Sequence, residues 1–419
     1  MKTLTEFVSL HIGDDVTRLV LDRSRWPEID MDLAINCIES RRKLKGKVQE
    51  WYDEPGLVFP RKLSAEQCSS SSTGYYKAGV ASEIMSEKTE GWCIADLTGG
   101  FGVDSWYFSK KAAHVLYNEM LPDLCDAARH NFSVLVADNI EILNHTVESG
   151  RLGFLNEFNP DIVYMDPARR GEGGKKVFLI EDCTPDVLTL KDEIFTYSRH
   201  ILIKLSPMAD ISMVCDRLGA HCREVHVVAA GGECKELLIW MDREWAGEYT
   251  IIAVELHGDS VNAFSFKPSE ERSGTTRLSS KEDIEKLMAS DEDTYYLFEP
   301  GKALMKAGAF NLISNRSGLA KLGKSTHYYL IDAETAENFE PIKGMGKLFR
   351  ICRCLPLDKR SLKNAAEAFP KAEVTARNIP MDTDTLRKKL GVTSSDDAHI
   401  FGLRSDSSGN ILLCTYRVL

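Results

Sequence analysis

Strands alternate with helices from residue 91 to residue 243, and this alternation restricts the possible folds more than any other feature of the sequence. Short apolar segments such as WCIADL and HILIKLSP have the β-branched content of buried strands, and amphipathic segments such as DLCDAARHNFSVLVADN lie between them. Strands buried on both faces form parallel sheets that helices cover on each side. The last segment, ECKELLIWMD, follows a strand after only a short glycine turn, so we expect it to be antiparallel to its neighbour.

The regions on either side of residues 73–246 lack this alternation. Residues 1–72 have the patterns of helices, and a basic cluster from Arg41 to Lys47 is either a solvated helix face or a phosphate contact. Residues 247–345 mix short strands and helices and are predicted to form a small α+β, ferredoxin-like module. Residues 346–419 are predicted to form a second small module. The sequence therefore predicts four parts, with the α/β domain second.

The charge of the chain is unevenly distributed. The net charge is -11, which argues against a protein that binds nucleic acid without specificity. From Pro300 onward there are 19 Lys and Arg residues and 12 Asp and Glu residues, so this part is basic and the remainder is strongly acidic. A basic C-terminal part can meet a polyanion such as RNA, and a solvated surface is the alternative. The predicted contacts are Lys343, Lys347, Arg350, Arg353, Arg377, Arg387, Lys388 and Lys389.

Several classes of protein are not expected. No segment has the roughly 20 apolar residues that a membrane-spanning helix needs. The first residues lack the basic start and apolar centre of a signal peptide, so we expect a cytoplasmic protein. The eleven cysteines include no CxxC pair, which predicts reduced thiols and no metal site.

The stretch CIADLTGGFGVDSWYF, residues 93–108, places three glycines between the first strand and the first helix. Ligands of doubly wound sheets bind at this edge, and glycines allow the backbone to approach them closely. A dinucleotide site needs a third spaced glycine where this chain has Ser105. Asp96 and Asp104 would repel a pyrophosphate but suit a cationic sulfonium. Glu119, at the end of the second strand, can accept both hydroxyls of a ribose.

These motifs resemble those of the class I S-adenosylmethionine-dependent methyltransferases. DLTGGFGVD resembles their first motif, NEM with Glu119 resembles the second, and MDPARR resembles the fourth. The resemblance implies an α/β, Rossmann-like sheet of seven strands with the last strand antiparallel, and S-adenosylmethionine as cofactor. A dinucleotide-binding oxidoreductase is the alternative. The cofactor-binding residues implied are Asp96, Thr98, Gly99, Gly100, Phe101, Gly102, Asp104, Glu119, Met120, Thr146 and Lys77, the last of which could also simply belong to a helix start.

The chain more narrowly resembles a bacterial group of methyltransferases with a THUMP-like C-terminal domain, here residues 346–419. The segments that carry this resemblance include SAEQCSSSSTGYYKAG, KLSPMADI, GGECKELL and EPGKALMKAGAF. It implies RNA as the substrate class, because THUMP domains serve enzymes that modify RNA. THUMP domains usually precede the catalytic domain, so the RNA-docking geometry of those enzymes is not transferred to this chain.

The fourth motif indicates the chemistry. Asp166 and Pro167 match the start of the motif of enzymes that methylate exocyclic amines, but Ala168 and Arg169 replace the usual Pro-aromatic pair. Asp-Pro-Ala-Arg also resembles the uridine C5 methyltransferases, which need a cysteine nucleophile after the fifth strand. This chain has Ser206 there, so a base nitrogen is the predicted acceptor.

Three basic residues are predicted to bind the substrate. Arg169 and Arg170 suit a phosphate contact, since arginine binds phosphate in a bidentate manner, and a solvated pair is the alternative. Lys204 is expected to pair with Asp166 or to meet the substrate. Asp166 and Pro167 are the predicted catalytic residues, with a helix cap as the alternative for Asp166. A methyltransferase of proteins or small molecules, and an RNA-binding protein with a non-catalytic methyltransferase fold, are the alternative functions.

Overall fold

The computed structural model describes residues 2–169, 179–289, 295–332, 335, 342–395 and 397–418. The chain divides into two compact units. One consists of Met1–Val225 with Glu236–Gly247, and the other consists of His226–Lys235 with Glu248–Leu419.

The first unit begins with helices whose starts are set by capping side chains. Asp15, Asp30 and Ser70 each accept a hydrogen bond from a backbone N–H of the helix that follows, which satisfies one of the free donors of its first turn. Trp51 is fully buried and packs against Phe59. The helices are α1 (Lys2–Leu10), α2 (Val16–Leu21), α3 (Met31–Leu44), α4 (Gln49–Asp53), α5 (Lys62–Gln67) and α6 (Ser71–Ile84).

The basic cluster of α3 and the following turn is largely a structural feature. Arg41 is buried, and its Nη2 donates to the carbonyl of Tyr52 at 2.9 Å. Arg42 Nε donates to the carbonyl of Ile12 at 2.7 Å, and Lys47 Nζ donates to the carbonyl of Glu66 at 2.7 Å. These three cations bind the carbonyl groups of neighbouring segments. Both predicted alternatives, a solvated helix face and a phosphate contact, are therefore wrong for the buried Arg41, whereas Arg42 is exposed and Lys47 is half-buried.

The predicted α/β domain contains nine strands and five helices in its described residues. The strands are β1 (Cys93–Asp96), β2 (His114–Asn118), β3 (Ile140–Leu143), β4 (Ile162–Met165), β5 (Ala168–Arg169), β6 (Cys183–Thr184), β7 (His200–Leu205), β8 (Cys222–Ala230) and β9 (Glu233–Asp242). The helices are α7 (Val103–Ser109), α8 (Pro122–Val134), α9 (Phe154–Phe158), α10 (Val187–Tyr197) and α11 (Ile211–Leu218).

Seven of these strands lie in the order β3-β2-β1-β4-β7-β9-β8. The pairs β1–β2, β2–β3, β1–β4 and β4–β7 are parallel, whereas β9 is antiparallel to β7. The predicted α/β sheet with an antiparallel last strand is thus confirmed. The strand β9 lies between β7 and β8, however, and not at the end of the sheet as its hairpin position suggested, and two further strands after β9 extend the sheet from seven strands to nine. Its central strands are buried on both faces, and the carboxyl ends of β1, β2, β4 and β7 meet at one edge.

Two features of this domain were not predicted. The short strands β5 and β6 pair antiparallel directly after the fourth motif, with Ala168 opposite Thr184. Helix α9 precedes β4. Two-residue strands and a five-residue helix are too short to show a hydrophobic period, so the sequence carries no signal for them.

The second unit contains a seven-stranded sheet in the order β13-β14-β12-β15-β18-β17-β16. The strands of this sheet are β12 (Tyr295–Pro300), β13 (Ala320–Lys321), β14 (Tyr329–Asp332), β15 (Gly346–Pro356), β16 (Glu373–Arg377), β17 (Ala398–Ser405) and β18 (Gly409–Arg417). The unit also contains β10 (Thr250–His257) and β11 (Ser260–Phe266), which pair antiparallel with each other outside this sheet. Its helices are α12 (Pro268–Ser273), α13 (Lys281–Ala289), α14 (Lys302–Ala307), α15 (Phe310–Ser317), α16 (Lys359–Ala368) and α17 (Thr383–Leu390).

The two predicted C-terminal modules share this sheet. β12, from the module predicted over 247–345, pairs with β15, from the module predicted over 346–419, and Leu297 lies opposite Phe349. One apolar core contains buried side chains from both, including Leu297, Phe349 and Phe401. The three boundaries between the four predicted parts stay a prediction.

All eleven cysteines are free thiols. Within the described ranges, no helix has the length and apolar character that crossing a membrane requires.

Asp242 fixes the end of β9 through charged hydrogen bonds. Its carboxylate accepts from Arg199 Nε at 2.9 Å and from Arg223 Nη1 at 2.9 Å, and the guanidinium of Arg223 lies over the ring of Trp240. Burial alone would raise the pKa of Asp242, but hydrogen bonds from Arg199, the backbone of Glu244 and Arg223 lower the pKa to about 2.

We predict that Asp242→Asn lowers the free energy of unfolding by about 2 kcal/mol at neutral pH. Because the folded-state pKa lies below the ordinary value of 3.8, this contribution is full above about pH 4 and is lost as pH falls through about 2. Urea unfolding at several pH values measures it. Glu244→Gln is the matched control, since Glu244 also pairs with Arg199 but is 61% exposed. Equal losses for both variants, or a loss independent of pH, would contradict the prediction.

Candidate active site

The turn between β1 and α7 is braced by the buried carboxyl group of Asp96. Asp96 Oδ1 accepts from the backbone N–H of Thr98 at 3.0 Å, and Oδ2 accepts from the hydroxyl of Ser105 at 2.6 Å. Burial raises the pKa of Asp96 to about 7. The sequence predicted an anionic group here, and burial shifts this carboxyl group toward its protonated form. Ser105, at the position of the missing third glycine, is a partner of this brace.

Two glycines of the turn are required by close contacts. A Cβ on Gly99 would lie 2.2 Å from the ring of Tyr117, and the N–H of Gly99 donates to the carbonyl of Asn118 at 2.8 Å. Gly102 precedes α7 with φ at +86°, where a side chain would also meet Phe132 at 2.5 Å. The turn is therefore held tightly against the end of β2.

Glu119 lies at the end of β2 and faces the glycine turn. One carboxylate oxygen accepts from the N–H of Gly100 at 3.0 Å, and the other accepts from the N–H of Leu121 at 2.9 Å. A carboxylate oxygen has two acceptor positions, so each retains one for a further donor. Asn144 donates to the carbonyl of Glu119 at 2.7 Å, and the neighbouring Met120 is 55% exposed. This arrangement suits the recognition of adjacent hydroxyl groups.

Lys77 is fully buried in α6 and has three partners. Its Nζ lies 2.7 Å from Ser69 Oγ, 3.0 Å from Glu236 Oε1 and 3.2 Å from Asp104 Oδ1. No part of the side chain is exposed. Lys77 was predicted to bind the cofactor, and the structure instead places its ammonium group between two carboxyl groups of the site. We call Lys77, Asp104 and Glu236 the buried triad.

The carboxyl groups of the triad differ in their surroundings. Asp104 Oδ2 accepts from Tyr164 at 2.8 Å and from Ser69 at 2.9 Å. Burial opposes the charge of Asp104, but the nearby ammonium groups of Lys77 and Lys204 and these hydrogen bonds lower its pKa. For Glu236, burial outweighs the same lysines and raises the pKa. The triad is thus a charged cluster held inside the domain.

Asp166 and Lys204 form an ion pair close to the carboxyl groups of the triad. Lys204 Nζ, on β7, donates to Asp166 Oδ2 at 2.5 Å, which is one of the two roles predicted for this lysine. Burial would lower the pKa of Lys204, but Asp166, Glu236 and Asp104 outweigh it and raise the pKa, so the group stays protonated. The Asp166 side chain remains 35% exposed, against 13% for Lys204. Asp166 follows β4 and caps none of the described helices.

Thr98 connects the glycine turn to the fourth motif. Its hydroxyl oxygen accepts from the backbone N–H of Asp166 at 2.6 Å. The side chain of Phe101 points into the core and contacts Phe59 at a ring distance of 5.4 Å. Thr146 is exposed and Pro167 is buried.

Arg169 and Arg170, the other two residues predicted to bind the substrate, lie where a described range ends at residue 169. The backbone of Arg169 belongs to β5, and Arg170 lies outside the described residues. Ser206 follows β7, where a C5 methyltransferase would need its cysteine, and its hydroxyl accepts from the N–H of Met208. In the described part of the chain, no group of three or more His, Cys, Asp or Glu side chains could hold a metal ion.

Three residues of the site were given no role from the sequence. Ser69 belongs to a serine-rich run, Tyr164 lies on a buried strand, and Glu236 lies directly before the buried apolar run of strand β9. A carboxylate inside a strand of buried apolar residues needs a partner, and this was the only signal available for Glu236.

Comparisons with known proteins match the whole chain and its C-terminal region. The family model of a ferredoxin-like domain matches residues 296–339, and that of a THUMP domain-like region matches residues 346–416. The crystal structure of a candidate methyltransferase from Porphyromonas gingivalis is 30% identical, with a TM-score of 0.84, and the alignment covers 100% of this chain and 98% of that one. No curated protein matches.

Two further solved structures align only in part. A SAM-dependent methyltransferase from Agrobacterium tumefaciens is 15% identical over 40% of this chain and 61% of its own, with a TM-score of 0.29. A methyltransferase subunit of a type I restriction-modification system from Streptococcus thermophilus is 13% identical over 45% of this chain and 47% of its own, with a TM-score of 0.34. These scores are too low to support an argument about this chain.

We predict that Lys77→Met lowers the free energy of unfolding by about 3 kcal/mol or more, because it leaves buried carboxyl groups without their cation. The double variant Lys77→Met with Glu236→Met should be more stable than Lys77→Met alone, since it also removes one of the carboxyl groups that lost its partner. Urea unfolding of the parent and of the single and double variants measures both effects. A double variant that loses the sum of the two single losses would show that the residues are not coupled.

Proposed function

Since the chain belongs to the family of bacterial class I methyltransferases with a THUMP-like C-terminal domain, we propose that it methylates a base nitrogen in RNA with S-adenosylmethionine. The observation that carries this proposal is the Asp166–Lys204 pair, which presents a carboxylate held by an ammonium group beside the glycine turn.

The cofactor supplies an electrophilic methyl group when it is bound. Glu119 would hold its ribose, because each carboxylate oxygen retains an acceptor position beside the turn. Gly99 and Gly102 keep the turn free of side chains, which lets a ligand approach the backbone. Met120, with its exposed apolar side chain, is suited to contact an adenine.

The charges of the site favour a cationic ligand over a pyrophosphate. Three carboxyl groups, those of Asp104, Asp166 and Glu236, accompany the two ammonium groups of Lys77 and Lys204. The cluster therefore has no positive excess that would attract phosphate groups, whereas a sulfonium group gains from the carboxylates. Asp96 adds little to this balance of charges, because burial raises its pKa.

Asp166 has the position and the exposure of a group that orients the acceptor. Lys204 fixes one carboxylate oxygen, and the remaining acceptor positions can bind the N–H group of an amine. This contact would direct the nitrogen lone pair at the methyl group, and positioning is the main requirement of such a transfer. The methylated nitrogen must then lose a proton, which a partly exposed carboxylate can pass to solvent.

Separate observations support the two parts of the proposal, a nitrogen as the acceptor atom and RNA as the substrate. Ser206 supplies a hydroxyl where covalent activation of carbon 5 needs a thiolate, so a nitrogen is the better acceptor. RNA is supported by the match to a THUMP-like domain and by the excess of basic residues after Pro300.

We predict that the protein binds S-adenosylmethionine and S-adenosylhomocysteine but not NAD. Glu119→Gln should weaken S-adenosylhomocysteine binding about tenfold or more, because an amide replaces one ionised acceptor by a donor. Isothermal titration of the parent and the variant measures both. Binding of NAD without binding of S-adenosylhomocysteine would overturn the cofactor assignment.

We predict that Asp166→Ala lowers methyl transfer to RNA at least 100-fold and leaves S-adenosylhomocysteine affinity within a few-fold, because Asp166 serves the acceptor and not the cofactor. The assay transfers a labelled methyl group to bulk RNA from a strain without the gene, followed by mass spectrometry of nucleosides. Asp138→Ala, at an exposed position after α8, is the matched control.

Normal transfer by the Asp166 variant would show that the active site lies elsewhere. If the parent binds the cofactor but methylates no RNA, the substrate is a protein or a small molecule, or the fold is not catalytic.

A further inference from the structure

A groove runs between α16 and α17 in the THUMP-like region. It has a volume of about 600 Å³. Three apolar side chains, Leu362, Ala366 and Leu390, and three lysines, Lys359, Lys363 and Lys389, line it together with Glu367. A volume of this size accommodates a nucleotide.

The lysines of the groove are available to a ligand. Lys359 and Lys389 are exposed, and neither forms an ion pair with any residue in the described ranges. Lys363 has only a long contact of 3.7 Å with Glu367, and both side chains are exposed. An exposed pair of this kind contributes little, so a phosphate can replace it at low cost.

Arg387, another basic side chain predicted to contact RNA, is less available. Arg387 lies 3.2 Å from Glu373 and 3.9 Å from Asp384, so its charge is already partly neutralised. Among the contacts predicted from the sequence, Lys389 is the one that lines the groove. Lys359 and Lys363 were not among the RNA contacts predicted from the sequence, because their chain positions do not reveal that α16 packs beside α17.

The apolar side chains decide what kind of nucleic acid fits. Leu390 is buried, while Leu362 and Ala366 are partly buried and pack against the same core cluster. An RNA duplex presents phosphates and sugars and keeps its bases stacked inside, so it would leave this apolar surface uncovered. An unpaired base can lie on it while the flanking phosphates meet the lysines.

We propose that the groove between α16 and α17 binds an unpaired segment of RNA. The proposal rests on the proposed function for the choice of RNA as the partner. It adds the surface that binds the RNA and the single-stranded state of the bound segment.

The first experiment removes the charges. Fluorescence anisotropy measures binding of an unstructured RNA of about 12 nucleotides to the full chain and to a variant with Lys359→Gln, Lys363→Gln and Lys389→Gln, at about 50 and 200 mM salt. We expect affinity at low salt to fall at least tenfold. The slope of log affinity against log salt should decrease by about 2, because each phosphate contact on a single strand contributes about 0.7.

A matched control removes the same charge from outside the groove. Lys286, Lys302 and Lys324 are exposed residues of the same unit that do not line the groove, and their triple change to Gln should leave affinity and slope nearly unchanged. Equal losses for the groove variant and the control would mean that only total charge matters, and the proposal would be wrong.

The second experiment fills the apolar surface without changing the charge. Ala366→Phe should weaken binding of the single strand several-fold and leave binding of a duplex of the same length unchanged. Thermal unfolding checks that the variant remains folded. If single strand and duplex bind equally and Ala366→Phe affects neither, the apolar surface has no role and the proposal is overturned.

Two further measurements separate the possible outcomes. A polyglutamate peptide is titrated into the parent and into the groove variant. If the peptide binds the parent more tightly than the variant and RNA binds both equally, the groove would be assigned to an acidic protein and the proposal overturned. All RNA titrations are made without cofactor, and S-adenosylhomocysteine is titrated separately into each variant. A parent that binds RNA through the groove but fails to bind the cofactor would contradict the proposed function and leave the groove assignment supported.

Discussion

The buried ammonium group of Lys77 is the constraint on which the active site depends. It joins α6 to Asp104 at the start of α7 and to Glu236 on β9, a residue 159 positions away in the chain. A charge this deep in a protein is tolerated only if its partners are positioned around it. The elements α6, α7 and β9 are therefore linked by two ion pairs of one ammonium group.

The site is built in two layers with different tasks. The buried triad and Asp96 have their polar atoms occupied by protein partners, so they hold the turn and the strands in place. Asp166 and Glu119 lie at the ends of β4 and β2 and retain acceptor positions for ligands. The division rests on which acceptor positions remain free and not on exposure alone, since Glu119 is buried at 8% exposure whereas the Asp166 side chain is 35% exposed.

A count of basic residues does not identify a binding surface. Arg41 and Arg387 both belong to basic clusters, yet Arg41 holds backbone carbonyls and Arg387 is paired with carboxylates. Lys359 and Lys389 come from different helices and become neighbours only because α16 packs beside α17. The availability of a cation depends on which acceptors the fold brings to it.

The sequence by itself determined the features that depend on local pattern. The apolar strands and the short turn before β9 predicted a mostly parallel sheet with an antiparallel last strand, and Glu119 and Asp166 could be placed at one edge because parallel strands end together. Tertiary structure alone decided the Lys77–Glu236 contact, the raised pKa of Asp96, the β5–β6 hairpin and the shared sheet of the C-terminal modules. These features depend on burial and on pairing between distant segments, and neither leaves a period or a motif in the chain.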